Sequence, residues 1–455
     1  MWWVFRLNTA SNAIATVIAV CLLIVFSSER SLAACSRPAH SVAGLPNEII
    51  DLLVDSGKGK EEGKCLVEVK EGLTENPAKP HRGATGFKRN LTAIEGEFVK
   101  GEVVAVIRGD TALANEIAGE LNLNVLASTP LPIVGGLLVR FGIGDKRPVS
   151  IVRALVDSHE LVIGATANHI YRLNAGSKKL KKKIPRFSLK AVQIEGVSEK
   201  GRGVKIAIID SDVDDKHPGL NNAVRGRFDA LEGAALGNLS HGTGIALLIG
   251  GGEPFQGFAP EAELYIARAF DVDEAGASLN SVFAILRSLQ WAETQGVQII
   301  NMSFAGAENK LLTGALSNLS SRGIILVAAA GNGGARAPYA YPAASEFVFA
   351  VTAVDAKNKI YAKANQGAYV FVSAPGVDVM VLSRDEKLRV ESGTSFGAAI
   401  FTGISALILE RFGTLGPDKF RQIVEKSAKD LGATGRDKVY GVGLVQVSKM
   451  LKRSK

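Results

Sequence analysis

Asp210, His241 and Ser395 are a carboxylate, an imidazole and a hydroxyl, each set where an apolar run or a glycine turn meets a helix-like run. A serine hydroxyl is a poor nucleophile at neutral pH, so it needs a base to take its proton and an acid to orient that base. Asp210 ends the apolar run Val204–Asp210, where a carboxylate can accept the Nδ1–H of an imidazole and leave Nε2 for the serine. His241 opens His-Gly-Thr-Gly-Ile-Ala, a turn into an apolar helix, and Ser395 follows Gly393-Thr394 at the head of another. A hydroxyl and an N–H at a helix N-terminus meet a partial positive charge that favours a developing oxyanion. Asn332, in the glycine-flanked turn after Ala328-Ala329-Ala330, offers a side-chain amide as a second oxyanion donor. The chemistry these residue types allow together is acyl transfer to a serine.

The elements that would hold them follow from periodicity. Continuous apolar runs at Val204–Asp210, Leu264–Phe270, Val297–Ser303, Ile324–Ala330, Phe347–Val354 and Val370–Ser373 predict parallel strands covered on both faces. Helical spacing falls between and after them, at Leu279–Thr294, Lys310–Arg322, Thr394–Arg411 and Asp418–Leu431. The fold class is α/β, a mostly parallel sheet with helices on both faces. Upstream, strand patterns at Glu102–Arg108, Gly135–Phe141 and Val162–Leu173 alternate with helical ones at Ala112–Leu121 and Val149–Asp157. They predict a small α+β, ferredoxin-like unit of β-α-β-β-α-β type.

Charge excludes one class of partner. The net charge is +8, but residues 191–455 hold 28 Lys and Arg against 27 Asp and Glu, so the excess lies upstream. Much of it is the run Lys178-Lys179-Leu180-Lys181-Lys182-Lys183, and no nucleic-acid partner is implied. The N-terminus reads as an export signal, with Arg6, an uncharged run from Ala13 to Phe26 and small residues at Ser31-Leu32-Ala33-Ala34. As a helix that run would span about 21 Å, short of the roughly 30 Å of a hydrocarbon core. Cys21 would leave with the signal. Cys35 and Cys65 then form a pair whose bridging would contribute roughly 3–4 kcal/mol. Leu32-Ala33-Ala34-Cys35 also resembles a lipoprotein signal, so lipid anchoring through Cys35 stands beside secretion or a periplasmic location. A membrane enters only if Cys35 is lipidated or the signal stays uncleaved.

Ordered landmarks carry a resemblance: Asp210, His217-Pro218, His241-Gly242-Thr243, Gly257-Phe258-Ala259-Pro260, Ile300-Asn301-Met302-Ser303, Ala330-Gly331-Asn332, Tyr341-Pro342-Ala343, Ala374-Pro375-Gly376 and Gly393-Thr394-Ser395. Over about 187–446 the chain resembles the subtilisin-like serine proteases, the subtilases, whose Asp, His, Ser order it shares. The resemblance implies a serine endopeptidase with Ser395 as nucleophile, His241 as base and acid, Asp210 as its orienter and Asn332 in the oxyanion hole. It implies that protein or peptide substrates add as a strand along Ser303, Phe304, Ala305 and Gly306, with a second edge near Gly276-Ala277-Ser278. Residues 97–173 are similar to the family's inhibitory propeptide, which makes the chain's own propeptide a partner and puts maturation between about Leu173 and Phe187. No cofactor is required and no metal site is assigned; a structural calcium stays open, its ligands unknown.

The resulting organisation is a signal peptide at 1–34, a weakly ordered segment at 35–95, a propeptide domain at 96–175, a basic linker at 176–190 and a catalytic domain at 191–455. Two departures from the family pattern stand out. Asp212 occupies a position where glycine is usual, with Asp214 and Asp215 close by, and Phe396-Gly397-Ala398-Ala399 lacks the usual proline after the serine motif. The alternative function is an inactive or self-inhibited relative acting as a binding protein, its site blocked by Asp212 or by a retained propeptide.

Overall fold

The computed structural model describes residues 94–95, 98–173, 176–178, 186–220, 223–231, 239–253, 255–272, 278–382 and 387–452. The chain divides into two units, 1–77 and 78–455, and every described residue belongs to the second. The expected export signal, the short elements sketched within 36–90 and all three cysteines lie outside the described residues.

The N-terminal part runs β1 (Ile94–Glu95), β2 (Phe98–Ile107), α1 (Thr111–Glu120), β3 (Leu123–Leu131), β4 (Gly136–Ile143), α2 (Val149–Asp157), β5 (Val162–Leu173) and β6 (Gly176–Lys178). The remainder runs α3 (Phe187–Ala191), β7 (Lys205–Ser211), β8 (Val224–Asp229), α4 (Ser240–Gly250), β9 (Glu263–Val272), β10 (Ser278–Ser281), α5 (Val282–Thr294), β11 (Ile299–Met302) and β12 (Phe304–Gly306). It ends with α6 (Lys310–Ser321), β13 (Ile325–Ala329), β14 (Phe349–Val354), β15 (Val370–Pro375), β16 (Val379–Leu382), β17 (Leu388–Ser392), α7 (Thr394–Phe412), α8 (Pro417–Ser427) and α9 (Val447–Met450).

The expected parallel strands form one ladder, β15-β14-β13-β11-β7-β9, with β8 also parallel to β9. Strand alternation explains why their sequences read as unbroken apolar runs. Along β7, Ile206 and Ile208 enter a core with α4, α7 and α8, while Ala207 and Ile209 enter a second core with α5 and α6. α7 is long and apolar enough by composition to cross a membrane, yet 83% of its apolar window is buried inside the fold, where it packs on β13, β14 and β15.

The N-terminal sheet uses its two faces in the same way. Val103, Ala105 and Ile107 of β2 pack on α1 and α2, whereas Val104 and Val106 join the core of α5 and α6. Its β2, β3, β4 and β5 pair antiparallel, and α1 starts on Asp110, whose carboxylate accepts from the Ala112 and Leu113 amides. At the β3–β4 turn, the Ile133 amide donates to Gln290 Oε1 and the Ile133 carbonyl accepts from Asn318 Nδ2, both at 2.8 Å.

Several details differ from the sequence-based expectation. β3 carries no expected strand because it is an edge strand with a mixed burial pattern and Pro130 within it. The helix expected from Leu279 begins at Val282, since Leu279–Ser281 pair with β5 as part of β10. α8 stops at Ser427 instead of Leu431. Of the segment expected as a linker, Gly176–Lys178 pairs with β17 and Phe187–Ala191 is helical.

Candidate active site

The parallel sheet brings Asp210, at the end of β7, beside His241, in the first turn of α4. Asp210 is fully buried, and its Oδ1 lies 2.7 Å from His241 Nδ1. The Ser211 amide donates to that same oxygen at 2.7 Å, which fixes the carboxylate plane. Gly242 is required beside the histidine. Its amide donates to Ser211 Oγ at 3.0 Å, and a Cβ there would run into the Ser211 carbonyl. Among the described residues, His241 Nε2 and Asp210 Oδ2 have no hydrogen-bond partner. Burial alone would lower the histidine pKa; the Asp210 charge and hydrogen bond, with a smaller contribution from Glu391, outweigh it and raise the value above 6.5.

Ser395 sits in the first turn of α7, and its hydroxyl donates to the Ser303 carbonyl at 3.2 Å. The Phe396 ring lies 6.0 Å from the His241 ring, between centroids. Asn332 is oriented by Thr394, whose amide and hydroxyl both donate to Asn332 Oδ1, at 3.0 and 2.9 Å. Holding the oxygen there turns the Asn332 NH2 group toward the other side of the amide. Asn332, Ser395, Ser303 and Arg172 line one small recess.

The strands expected as peptide-binding edges, β12 and β10, pair with the chain's own β5. On β12, Phe304 pairs with Leu173, Ala305 with Arg172 and Gly306 with Tyr171. On β10, Ser278 pairs with Leu173, Leu279 with Arg172, Asn280 with Tyr171 and Ser281 with Ile170. Tyr171 is fully buried, edge-on to Phe304 at 5.9 Å, and donates its hydroxyl to the Ala307 carbonyl at 2.9 Å. Gly306 permits this approach, since a Cβ there would sit 2.5 Å from Tyr171 Cδ1. Beyond the recess, β6 pairs antiparallel with β17: Gly176 with Ser392, Ser177 with Glu391 and Lys178 with Val390.

The sequence model of the Subtilase family matches residues 201–443. The chain belongs to the subtilase family. It is 31% identical over 252 residues to the minor extracellular protease Epr of Bacillus subtilis, covering 54% of this chain and 38% of that one. It is 30% identical over 266 residues to subtilisin DY of Bacillus licheniformis, covering 57% of this chain and 94% of that one. The fold is similar to that of fervidolysin from Fervidobacterium pennivorans, a keratinolytic enzyme related to subtilisin, with a TM-score of 0.67 and 21% identity. That alignment covers 79% of this chain and 62% of fervidolysin. This subtilase therefore spans well under half the length of Epr and less than two thirds of that of fervidolysin.

The acidic cluster of this subtilase is organised by a residue that sequence reasoning passed over. Arg227 pairs with Asp212, pairs with Asp215 at 2.9 Å and donates to the Val213 carbonyl at 3.0 Å. Asp212 is thus turned onto a guanidinium, its Oδ1 also accepting from the Val213 amide at 2.8 Å. Among the described residues no group of three or more His, Cys, Asp or Glu side chains is gathered to hold a metal ion. His217 is buried, and its Nδ1 accepts from the Gly219 amide at 3.1 Å, a local turn role. The expected edge at Gly276-Ala277 lies outside the described residues, while Ser278 beside it belongs to β10. The strand β17 was not anticipated from sequence, its alternation Leu388, Val390 against Arg389, Glu391 being only two apolar residues long.

Proposed function

We propose that this subtilase is a secreted serine endopeptidase that matures by cutting its own chain. One observation carries the reading. β5 lies on β10 and β12, its Arg172 lines the same recess as Ser395, β6 lies on β17, and in sequence only Asn174 and Ala175 come between β5 and β6. The bond we assign to self-cleavage is Asn174–Ala175, which joins in sequence the two residues between β5 and β6. The propeptide expected at 96–175 would then end at Asn174, and the catalytic domain carries the rest of the machinery.

In this mechanism the Ser395 hydroxyl turns from Ser303 to His241, which takes its proton on Nε2 as Oγ attacks the carbonyl carbon. Asp210 remains ionised and holds the imidazolium through Nδ1. The oxyanion accepts from the Asn332 amide and the Ser395 backbone N–H at the head of α7. His241 then returns the proton to the departing amine of Ala175, leaving an ester on Ser395. Water adds to the ester through the same base, giving back the free hydroxyl and the Asn174 carboxylate. Protein substrates follow the same track once β5 leaves. No cofactor enters these steps. The relative's designation as extracellular, with the export signal at 1–34, supports secretion.

The pairing of Asp212 with Arg227 speaks against a site blocked by that carboxylate. The intact masses of the exported wild type and of Ser395→Ala test the proposal. Wild type should shorten to a fragment starting at Ala175 and the variant should stay uncut. If both shorten alike, another protease does the cutting; if neither shortens and a fluorophosphonate probe labels neither, the inactive-relative reading replaces this one.

A further inference from the structure

We propose that Asn365 and Tyr369 are positioning residues for Asn332, setting its amide through the backbone on either side of it. Asn332 stands on the segment Ala330–Gly333 that follows β13, where Gly331 adopts a φ of +108°. Such a turn has no helix or strand ladder of its own to hold it, so its backbone groups must find partners elsewhere. Tyr369 donates its hydroxyl to the Ala330 carbonyl at 2.6 Å. The Asn365 backbone N–H donates to the Gly331 carbonyl at 3.0 Å, and the Gly333 backbone N–H donates to Asn365 Oδ1 at 2.7 Å.

Two residues before Asn332, the one before it and the one after it are thus tied to a single short stretch, 365–369. That stretch is itself anchored, since Asn365 Nδ2 donates to the Pro338 carbonyl at 3.0 Å. The Asn365 side chain lies against the glycine, and a Cβ on Gly331 would sit 2.8 Å from Asn365 Cγ. On the opposite side Thr394 holds Asn332 Oδ1 and accepts from the Gly331 amide at 3.1 Å. The donor is therefore clamped between the head of α7 and residues 365–369. Neither Asn365 nor Tyr369 is among the residues lining the recess at Ser395. Burial pushes the Tyr369 hydroxyl up to about 12, so it keeps its donor proton across the whole working range of a neutral or alkaline hydrolase.

An oxyanion donor acts through placement, and loss of one typically lowers kcat by about 10²–10³-fold. A donor that is present but loosened should cost a fraction of that. The inference rests on the oxyanion role of Asn332, so the experiment is a double-mutant cycle in the full chain. Tyr369→Phe removes one hydroxyl and preserves the ring against Tyr339, whose centroid is 4.8 Å away. Rates of self-cleavage, where the substrate strand is already docked, and kcat and KM of the matured enzyme on a peptide anilide are measured for wild type, Tyr369→Phe, Asn332→Ala and the pair. Expected are a fall in kcat of about 5- to 10-fold with KM within about twofold, and no further fall when Asn332 is already alanine. Asn365→Ala should give the same kcat-only signature; if it fails to fold, Tyr369→Phe decides alone. An equal loss in both backgrounds, a change confined to KM, or an unchanged kcat overturns the proposal. If Asn332→Ala itself keeps wild-type kcat, the oxyanion assignment falls and the positioning role falls with it. If Ser395→Ala cleaves as fast as wild type, the serine mechanism has failed instead.

Discussion

The Ser395 hydroxyl points at the Ser303 carbonyl, 3.2 Å away, while His241 Nε2 has no hydrogen-bond partner among the described residues. The proposed nucleophile and its proposed base are thus not hydrogen-bonded to each other in this arrangement. Catalytic hydrogen bonds are commonly long or absent before substrate is bound and tighten in the complex. A fluorophosphonate probe should therefore label the processed enzyme and leave both Ser395→Ala and His241→Ala unlabelled. Labelling of His241→Ala at the wild-type rate would remove the histidine from the mechanism.

The raised pKa of His241 sets the acid limb of the pH profile. Burial opposes the charged ring, but Asp210 favours it and prevails, so the ring stays protonated to a higher pH than a free histidine. A protonated base cannot take the serine proton. kcat/KM should rise with a midpoint above the usual value of about 6.5. Stability runs the other way: the raised pKa stabilises the fold below about 6.5, and that contribution fades as pH climbs through the folded value. Asp210→Asn should lower the rate by about 10⁴-fold. A pH–rate series on both proteins checks this, and a wild-type midpoint below 6 would contradict the assigned cause.

Tyr171 should govern how long the cut propeptide stays in the cleft. Its fully buried ring packs on Phe304, and truncating such a side chain costs about 3–5 kcal/mol. Tyr171→Ala in the full chain should weaken retention of the cleaved fragment by roughly 100- to 4,000-fold. Wild type should show a lag before it hydrolyses added peptide, and the variant should show little or none.

Arg227 is expected to matter for stability more than for chemistry. Arg227→Ala leaves the buried Asp212 without its cation. With the arginine side chain 35% exposed, solvent screening limits the loss to about 1–2 kcal/mol, read as a fall in Tm. Asp212→Asn should keep kcat/KM within about twofold. A hundredfold loss there would mean that this carboxylate acts on His241 after all.

The β6–β17 pairing predicts that peptides extended past the scissile bond bind along Val390–Ser392. Lengthening a substrate from one to four residues on that side should raise kcat/KM about 10-fold, as expected from a few net backbone hydrogen bonds. N-methylation of the added amides should reverse the gain.

The family landmarks and most of the parallel strands were legible in the chain because both depend on local sequence. A strand buried on two faces must be apolar at every position, as in the β7 run Ile206–Ile209, and glycine must stand where backbone approaches closely, as at Gly242. β3, β8, β16 and β17 were not anticipated: β3 and β8 have mixed patterns, and β16 and β17, at four and five residues, are too short for their apolar residues to distinguish a strand from a loop. The same holds for the short β10, hidden at the head of what read as one helix.

By itself the sequence determined which groups could react, in what order, and on what class of scaffold. The tertiary structure decided what those groups touch. It set Arg227 on Asp212, Thr394 on one side of Asn332 and residues 365–369 on the other. It also laid β5 along β10 and β12, with Arg172 in the recess shared with Ser395, and β6 along β17. The physical reason is that acid, base, hydroxyl and amide chemistry belongs to single residues. Register, ion pairing and the hydrogen bonds of a turn are instead properties of segments far apart in the chain, which meet only when both cores of the sheet are packed.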